Sequence, residues 1–426
     1  MSAFRDLVRA RLDDGGAIRI AGAIGCDAIP AAIAGEERGG NRALVFERVA
    51  GVRGTVVGNF YGATDRVCAA LGTHDTRALF ERYDAAAAAP RALERRSRHR
   101  FDGESTRGPD LARHLPAIRH SRDDATAYLM SGILVARDPA DGRHHLCFVR
   151  MALAGGDRVI VNPATARIRD IVGRTVGAGE ELPVAILVGA PAAVTLAACV
   201  TAPVTVDKYA IAQSYAGDEL AYSDDPVPIP LTTEVALLGR IVPDWVREGP
   251  VGDQKGLYSL KERNPVCVVD EIRVRHGVVH HVIAGGVSAE HVELVTLGPR
   301  AVLERLRRGT PGLVDYRLPR YAGGRLAVLV VEAGFDPRTI AERLWSISSV
   351  RGFVAVNRDV DAGAADAVLW SIVERAKSAE HFDFSGDDRP GVKPGKFLID
   401  ATERDLADWN HRRIEVLRPA ADSEPG

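Results

Sequence analysis

Residues 248–259 read EGPVGDQKGLYS, and this stretch is the most informative one in the sequence. Its two carboxylates, Glu248 and Asp253, are separated by glycine and proline, which predict an irregular turn rather than a helix. Such a turn can direct both carboxylates into one cleft. Two acids in a cleft of low dielectric cannot both ionise cheaply, so one is expected to stay protonated and to act as a proton donor. The same pattern is also typical of an acidic loop in solvent.

Strand-like runs lie on both sides of this turn, from about residue 125 to residue 284. They include TAYLMSGILVA, HLCFVRMAL, PVAILVG and GVVHHVIAG. Long apolar runs with few helices predict a β-rich central domain, barrel-like in form. The uncharged stretch from Leu182 to Val206 is long enough to span a bilayer. Glycines and prolines interrupt it, however, so we interpret it as a buried strand, a turn and a helix.

The two ends of the chain show a different pattern, in which strand and helix signals alternate. In the first part, the runs AIRI, ALVFERV and GTVVGNF precede helical segments at 64–71 and 75–88. After about residue 297 a similar alternation returns, with a helix predicted at PRAVLERLRR. Alternation of this kind predicts α/β layers. The sequence therefore predicts an α+β or α/β multidomain protein, with an N-terminal α/β domain at 1–115, a β-rich domain at 116–297 and a C-terminal α/β domain at 298–426.

Composition excludes several classes of protein. The chain has 426 residues and a formal net charge of −2, from 55 basic and 57 acidic residues. A balanced charge argues against a dedicated nucleic-acid-binding protein. The five cysteines are far apart and include no C-x-x-C pair, which excludes a disulfide framework and fits a reducing compartment. The N-terminus is charged and is not a secretory signal. We therefore expect a cytoplasmic protein with no membrane or nucleic-acid partner.

Common cofactor motifs are absent from the sequence. It contains no G-x-x-x-x-G-K-[ST], no G-x-G-x-x-G after a strand and no G-x-S-x-G. The adjacent pairs His144–His145 and His280–His281 cannot chelate one ion from a regular strand, because neighbouring side chains point to opposite faces. Local spacing therefore predicts no metal site.

EGPVGDQKGLYS resembles the E-G-P-[FY]-G-[ED]-x-x-G-Y-Y segment of the UbiD family, the prenylated-flavin-dependent decarboxylases. Further segments resemble family motifs, in the family's order, along most of the chain. They are FRDLV at the start, GNFYGATDRVCAALG (58–72), LPAIRHSRDDATAYLMSGI (115–133), HLCFVRM (145–151), HVIAGGVSAEHVEL (281–294), GFVAVNRDVDAGAADAVLWSIVER (352–375) and GKFLIDAT (395–402). The resemblance implies that the central domain is a split β-barrel that binds the flavin.

The resemblance also places the family's catalytic trio on Arg150, Glu248 and Asp253. It implies that the Arg150 guanidinium holds a substrate carboxylate bidentately and that Glu248 keeps the guanidinium in place. Asp253 would deliver the proton that replaces CO2. Prenylated FMN would supply the electron sink, through a covalent adduct with an α,β-unsaturated or (hetero)aromatic acid that then loses CO2. The implied activity is a reversible, non-oxidative decarboxylation.

The sequence departs from the family where the flavin phosphate is anchored. The family uses a divalent metal, usually manganese, and a potassium ion, and its metal ligands are an asparagine, a histidine and a glutamate. These positions fall here on His145, near Ala166, and on Lys208, so all three are changed and no metal ligand is assigned. Whether manganese or potassium binds is left open. A divalent cation next to one carboxylate sums to +1, the charge of one lysine. We therefore hypothesise that the Lys208 ammonium binds the phosphate directly, with a hydrogen bond from His145.

Other implied features complete the expectation. Phe148 and Val149 precede Arg150 on the flavin-binding strand, and Arg351 takes the place of a further phosphate-contacting lysine. The resemblance implies a flavin prenyltransferase as the supplier of the cofactor and a homodimer or a multimer of dimers.

Two alternatives to an active decarboxylase remain. In the first, the chain is a non-catalytic UbiD-like homologue or assembly subunit. In the second, it is a protein that binds plain FMN. The intact trio favours the enzyme, because decay of a catalytic site has no reason to spare all three residues.

Overall fold

The computed structural model describes residues 3–94, 101–217, 220–386 and 395–403. The chain divides into two compact units, Met1–Ala301 and Val302–Gly426. Both units combine helices with sheets, so the predicted mixed α/β multidomain architecture is confirmed. The boundaries at residues 115/116 and 297/298 stay predictions.

A four-stranded sheet forms the N-terminal part of the first unit, in the order β1-β2-β3-β13. Its strands are β1 (Ala17–Ile20), β2 (Ala43–Phe46), β3 (Thr55–Gly58) and β13 (Val279–Val282). The helices of this region are α1 (Phe4–Asp13), α2 (Ile29–Arg38), α3 (Thr64–Ala70) and α4 (Thr76–Ala88). The Asp75 side chain caps α4 by accepting a hydrogen bond from the Ala78 amide. The strands and helices predicted between residues 17 and 88 are thus confirmed.

A nine-stranded antiparallel sheet dominates the first unit. Its order is β5-β8-β9-β12-β11-β10-β6-β7, and β4 pairs with β12. The strands are β4 (Gly103–Arg107), β5 (Tyr128–Leu129), β6 (Ile133–Arg137), β7 (His144–Phe148), β8 (Met151–Leu153), β9 (Arg158–Val161), β10 (Leu182–Val188), β11 (Val235–Gly252) and β12 (Tyr258–Arg275). Three helices accompany the sheet: α5 (Ala166–Thr175), α6 (Ala192–Cys199) and α7 (Lys208–Ala216). The stretch that begins at Leu182 forms β10, a turn and α6, as predicted.

Both faces of this sheet are covered, which explains why its strands are continuously apolar rather than alternating. On β7, Leu146 joins a core that includes residues of α6 and α7. Its neighbour Cys147 joins a separate core that includes residues of α5. Arg150 lies in the two-residue connection between β7 and β8, so its position is set by strands that are packed on both faces.

The hairpin of β11 and β12 carries the EGPVGD segment and is irregular where that segment lies. The register between the strands shifts on both sides of Glu248. Such bulges redirect side chains and are frequent next to active sites. Gly249 has a φ of 98°, and a Cβ at this position would come within 2.6 Å of the Ser259 carbonyl oxygen. Glycine is therefore required beside Glu248.

The second unit contains a five-stranded sheet in the order β14-β15-β16-β18-β17. The strands are β14 (Leu313–Arg317), β15 (Leu326–Val331), β16 (Gly352–Asn357), β17 (Phe382–Phe384) and β18 (Phe397–Asp400), and the helices are α9 (Ala341–Trp345) and α10 (Ala365–Arg375). Apolar clusters lie on both faces of this sheet.

The helix α8 (Ala289–Arg308) precedes β14 and contains Pro299. The prediction that this helix begins at Pro299 was wrong. Proline favours the first turn of a helix, where its missing N–H costs nothing. Here the helix continues through it.

Two smaller expectations can be compared with the structure. All five cysteines are free thiols, as expected for a chain without a disulfide framework. In the described residues, no helix combines the length and the apolar character needed to cross a membrane.

Candidate active site

Arg150, Glu248 and Asp253 meet in the structure. Arg150 Nε donates to Glu248 Oε1 at 2.7 Å, and Nη2 donates to Glu248 Oε2 at 3.0 Å. Arg150 Nη1 lies 3.4 Å from Asp253 Oδ2. Glu248 is fully buried, and Asp253 is only 8% exposed. The guanidinium is thus shared between two buried carboxylates, both of which lie on the hairpin of β11 and β12.

The two edges of the guanidinium are held differently. Glu248 takes the Nε–Nη2 edge in a bidentate pair, and its Oε2 also accepts a hydrogen bond of 2.7 Å from Asn264 Nδ2. Among the described residues, the other edge has only long contacts, with Asp253 at 3.4 Å and with Ser259 Oγ at 3.3 Å. A ligand carboxylate at ~2.8 Å would make shorter hydrogen bonds than either of these. The Nη1–Nη2 edge is therefore the one suited to bind a carboxylate.

A second segment fixes the loop that carries the two acids. Asp124 Oδ1 accepts a hydrogen bond of 2.8 Å from the Gly252 amide, and its Oδ2 accepts one of 2.9 Å from the His120 amide. The His120 ring in turn accepts from the Gly285 amide at Nδ1 and donates from Nε2 to the Tyr128 carbonyl oxygen. Burial lowers the pKa of His120, which keeps the ring neutral and allows it to accept at Nδ1.

Two further groups surround Asp253. Lys255 Nζ lies 3.7 Å from Asp253 Oδ2, and the lysine side chain is 44% exposed. His291 lies within electrostatic range of Asp253, and burial lowers the pKa of His291 to about 4. The imidazole is therefore neutral at physiological pH. Besides Arg150, Asp253 thus has one partly exposed cation and one neutral ring nearby.

Tyr128 contributes a hydroxyl that sequence reasoning did not assign. In the register of β5 and β8, Tyr128 is paired with Ala152, which lies two residues beyond Arg150, so these side chains share a face of the sheet. The hydroxyl is buried and has no hydrogen-bond partner among the described residues. Burial raises the pKa of Tyr128, and the nearby negative charge of Glu248 raises it further. The hydroxyl therefore stays neutral and can donate a hydrogen bond.

A second cluster forms at the positions where the family's metal ligands were expected. Arg167 Nε donates to His145 Nε2 at 3.3 Å. Lys208 Nζ donates to the carbonyl oxygens of Leu146, at 2.9 Å, and Ala198, at 3.5 Å. The histidine position expected near Ala166 is thus filled by the side chain of Arg167. Burial lowers the pKa of His145, and the nearby charges of Arg167 and Lys208 lower it further. The side chains of these three residues therefore surround one region.

This cluster does not fit a divalent metal. A guanidinium and an ammonium have no lone pair to offer, and the His145 Nε2 lone pair is already directed at Arg167. One other group could hold an ion, because ligand atoms of Asp138, Asp141 and His145 lie within 4.8 Å of one another. However, Asp138 Oδ2 already binds Arg167 at 2.7 Å and Arg174 at 2.9 Å. A metal there would have to displace two arginines.

The remaining predicted cofactor residues lie in two places. Val149 is buried in the core beside α5, whereas Phe148 packs against the core on the opposite face of β7. Arg351 belongs to the second unit, where its amide donates to the Arg325 carbonyl oxygen at 2.7 Å. The structure therefore brings together the trio and, separately, His145 with Lys208.

Four residues at these sites were missed by sequence reasoning: Tyr128, Arg167, Ser259 and Asn264. Tyr128 and Ser259 lie inside stretches that were singled out, at positions to which no role was given. Arg167 is one residue from the position that was counted. Asn264 carries no sequence signal, because its role depends on the register of the hairpin.

An arginine held between two buried carboxylates, with one edge suited to an anion, is the kind of site that suits a carboxylic acid next to a proton donor or acceptor. Comparison with known families agrees with this class. Family models of 3-octaprenyl-4-hydroxybenzoate carboxy-lyase match the chain in order: the N-terminal domain at residues 13–85, the Rift-related domain at 94–288 and the C-terminal domain at 293–388. The chain belongs to the UbiD family of decarboxylases.

Curated relatives include two enzymes with the same name. The chain is 29% identical to anhydromevalonate phosphate decarboxylase of Aeropyrum pernix over 340 residues, which are 78% of this chain and 76% of that protein. It is 26% identical to the anhydromevalonate phosphate decarboxylase of Methanothermobacter thermautotrophicus over 306 residues, 69% of each chain.

Among solved structures, the UbiD-class enzyme HmfF from Pelotomaculum thermopropionicum is similar over almost its whole length. An evolved dimeric form of HmfF in complex with prFMN gives a TM-score of 0.86 at 25% identity, covering 98% of this chain and 97% of that one. The 3,4-dihydroxybenzoic acid decarboxylase from Enterobacter cloacae gives a TM-score of 0.81 at 20% identity, covering 99% of this chain and 98% of that one. This second likeness shows the fold alone.

Proposed function

We propose that this protein catalyses the reversible, non-oxidative decarboxylation of an α,β-unsaturated or (hetero)aromatic carboxylic acid with prenylated FMN as cofactor. The observation that carries the proposal is the guanidinium of Arg150, shared between Glu248 and Asp253. Arg150 binds the substrate carboxylate at its Nη1–Nη2 edge. Glu248 is hydrogen-bonded to Arg150 and to Asn264, and it fixes the position of the guanidinium when the substrate binds. Asp253 donates the proton that replaces CO2.

Prenylated FMN, when bound, supplies the electron sink for the loss of CO2, a task that no side chain of the site can perform. Support comes from HmfF, whose structures contain prFMN or FMN. For this chain, Arg167 and Lys208 would hold the flavin phosphate by direct charge–charge contact, with His145 beside them. One of the three Lys208 N–H groups is left after its two carbonyl contacts, and an ammonium suits phosphate. Phe148 and Val149 would line the flavin site on the strand before Arg150, and Arg351 would add positive charge.

The two curated relatives support a narrower substrate class. Both are named for anhydromevalonate phosphate, a carboxylic acid that also carries a phosphate group. We propose that the substrate of this chain is likewise an unsaturated acid with a phosphate. Arg150 would bind the carboxylate of such an acid, and recognition of its phosphate would require a separate group of cations.

Several broader features belong to the same proposal. A flavin prenyltransferase supplies the cofactor, the chain forms a homodimer or a multimer of dimers, and the protein is cytoplasmic. The evolved HmfF is described as dimeric, which supports the homodimer. The nine-stranded sheet is proposed to form the split β-barrel of the family.

The test is to express the protein together with a flavin prenyltransferase and to measure three properties of the same sample. These are the mass of the released cofactor, the metal content and the loss of CO2 from phosphorylated and unphosphorylated unsaturated acids. Prenylated flavin with turnover of an acid supports the proposal. Plain FMN would replace it with a redox or FMN-binding role, and absence of any flavin would favour a non-catalytic homologue. Stoichiometric manganese would keep the enzyme and refute the direct binding of phosphate by Lys208.

A further inference from the structure

The strand β7 is the last strand of the nine-stranded sheet, so one of its edges has no strand beside it in the part of the chain that the structure describes. Alternate residues of an antiparallel strand point their N–H and C=O groups to this edge. Two consecutive residues bind the groups of His144 and Leu146 there. The His144 amide donates to Asp207 Oδ2 at 2.9 Å, and the Leu146 carbonyl oxygen accepts from Lys208 Nζ at 2.9 Å. The start of α7 is thus attached to the edge of β7.

The His144 ring reinforces one of these two contacts. Its Nδ1 lies 2.8 Å from Asp207 Oδ2, the same oxygen that accepts from the His144 amide. Both side chains are largely buried, with exposed fractions of 6% for His144 and 20% for Asp207. Burial alone would raise the pKa of Asp207, but the contacts with His144 outweigh burial and lower the pKa. The carboxylate is therefore charged at neutral pH, and His144 Nδ1 is the donor.

The other carboxylate oxygen of Asp207 fixes the first turn of α7. Asp207 Oδ1 accepts from the Tyr209 amide at 2.8 Å and from the Ala210 amide at 3.2 Å, which makes Asp207 the N-cap of the helix. Lys208 is the first residue of α7. The cap and the contact with β7 therefore determine together where the long, flexible lysine side chain leaves the backbone.

The same hydrogen bonds make the charge of Asp207 compatible with an anion next to Lys208. A carboxylate without such bonds would repel a phosphate and would compete for the ammonium. Here four N–H groups, two of His144 and two of α7, donate to the carboxylate. The Lys208 ammonium bonds instead to the uncharged carbonyl oxygens of Leu146 and Ala198. Its positive charge therefore stays available for a ligand.

We infer that His144 and Asp207 are positioning residues for the Lys208 ammonium, and that through it they set the preference of the protein for a flavin that carries a phosphate. The inference rests on the proposed function, in which Lys208 holds the flavin phosphate, and deepens it. Asp207 acts through the backbone of the adjacent Lys208, and His144 acts through Asp207. Neither residue needs to touch the flavin.

The experiment measures equilibrium binding of FMN and of riboflavin to the full-length protein, after removal of any bound flavin, by quenching of flavin fluorescence. The two probes differ only in the phosphate, so the ratio of their dissociation constants, the FMN preference, reports the phosphate contact. His144→Leu removes the Nδ1 donor, whereas His144→Asn keeps an N–H donor at a similar distance from the backbone. Asp207→Ser keeps a residue that can cap α7 but is too short to reach His144.

We expect His144→Leu and Asp207→Ser to lower the FMN preference about fivefold, because a displaced ammonium loses part of a charge-assisted contact. His144→Asn should retain the preference. When Lys208→Met is already present, the same substitutions should have no further effect, since the group that they position is gone. Asp75→Ser is the matched control: Asp75 caps α4, so the change in the cap is the same and the FMN preference should not change.

The outcomes separate the positioning role from the activity. The expected pattern supports the role even if no acid is turned over and the decarboxylase proposal has failed. An unchanged or increased FMN preference in His144→Leu and Asp207→Ser would overturn the role even if the protein is an active decarboxylase. An equal loss with and without Lys208 would show a general structural effect and would also overturn it. Equal binding of FMN and riboflavin by the wild-type protein, or binding of neither, would overturn the role together with the phosphate site. Circular dichroism and urea unfolding of each variant confirm that it is folded.

Discussion

Replacing Tyr128 with phenylalanine should change stability and ligand affinity in opposite directions. The hydroxyl is buried, since the residue is 1% exposed, and it has no partner among the described residues. A buried polar group without a partner costs ~1–3 kcal/mol. Removal of the oxygen alone leaves the ring and its packing unchanged. We therefore expect the free energy of unfolding of Tyr128→Phe to stay the same or to rise by about 1 kcal/mol, whereas core mutations usually lower it.

Ligand affinity should fall in the same variant. Tyr128 pairs with Ala152 across the sheet and lies within electrostatic range of Glu248 and Arg150, so we expect its hydroxyl to donate to an acid held by Arg150. A hydrogen bond to a charged group contributes ~1.5–3 kcal/mol, which corresponds to a ~10- to 150-fold change in the dissociation constant. We expect a non-reactive acid to bind more weakly to Tyr128→Phe by a factor in this range.

Urea unfolding and calorimetric titration of the flavin-loaded protein measure the two effects. Tyr222→Phe is the matched control, because the Tyr222 hydroxyl is also buried and has no partner in the part of the chain that the structure describes. Its ring packs against Tyr209 rather than against the trio. The control should reproduce the effect on stability without the effect on affinity. Unchanged affinity in Tyr128→Phe would refute a role in binding. A loss of stability of 2 kcal/mol or more would show that the hydroxyl has a partner and that our reasoning about its burial is wrong.

Three further predictions concern other groups of the molecule. Asp253→Asn should abolish turnover, because an amide cannot deliver the proton, while the spectrum of the bound flavin stays unchanged; surviving activity would remove Asp253 as the donor. Lys208→Met should weaken flavin binding about tenfold or more through the loss of a charge-assisted contact, whereas EDTA should not weaken it; release of flavin by EDTA would contradict a metal-free site. Burial lowers the pKa of His280 from 6.5 to about 4, so the unfolded state binds a proton first as the pH falls. The protein should lose about 3 kcal/mol of stability from this residue between pH 6.5 and 4. His280→Gln should flatten the dependence in urea unfolding across that range, and an unchanged slope would exclude His280 as its source.

The secondary structure of much of the chain could be predicted because its cause is local. The segment from Leu182 forms a strand and a helix since glycine and proline interrupt an apolar run at the turn. α4 begins at Thr76 because Asp75 caps it. The helix around Pro299 shows the limit of such reasoning. A proline that starts a helix and one that lies inside a helix have the same local sequence, and only packing decides between them.

The candidate site could not be predicted from local pattern. Arg150 and Glu248 are 98 residues apart in the sequence, and the pairing of β8, β9, β12 and β11 in one sheet brings them together. The bulged register of the β11–β12 hairpin then places Asn264 beside Glu248. The resemblance to a family supplied the trio, but it could not supply Asn264, whose contact with Glu248 depends on that register. Arg167 was missed for a related reason. The start of α5 sets which side chain faces His145, and a count along the sequence was off by one residue.

We expect a proton to move when a substrate carboxylate binds beside Arg150. One guanidinium already faces the carboxylates of Glu248 and Asp253, and the substrate adds a third. Lys255 compensates little, because its side chain is 44% exposed and screened by solvent. Three anions around one buried cation are unfavourable unless one of them is protonated. Glu248 accepts three short hydrogen bonds from Arg150 and Asn264, whereas Asp253 contacts Arg150 at 3.4 Å.

Asp253 is therefore the group that we expect to take up the proton when the acid enters. Calorimetric titration of a non-reactive acid in buffers of different ionisation enthalpy should show uptake of about one proton by the wild-type protein. Asp253→Asn should bind the acid without proton uptake, because the amide has no negative charge to neutralise. Binding without proton uptake in the wild-type protein would refute this uptake. Either Asp253 is then already protonated in the free protein, or three carboxylates coexist around Arg150.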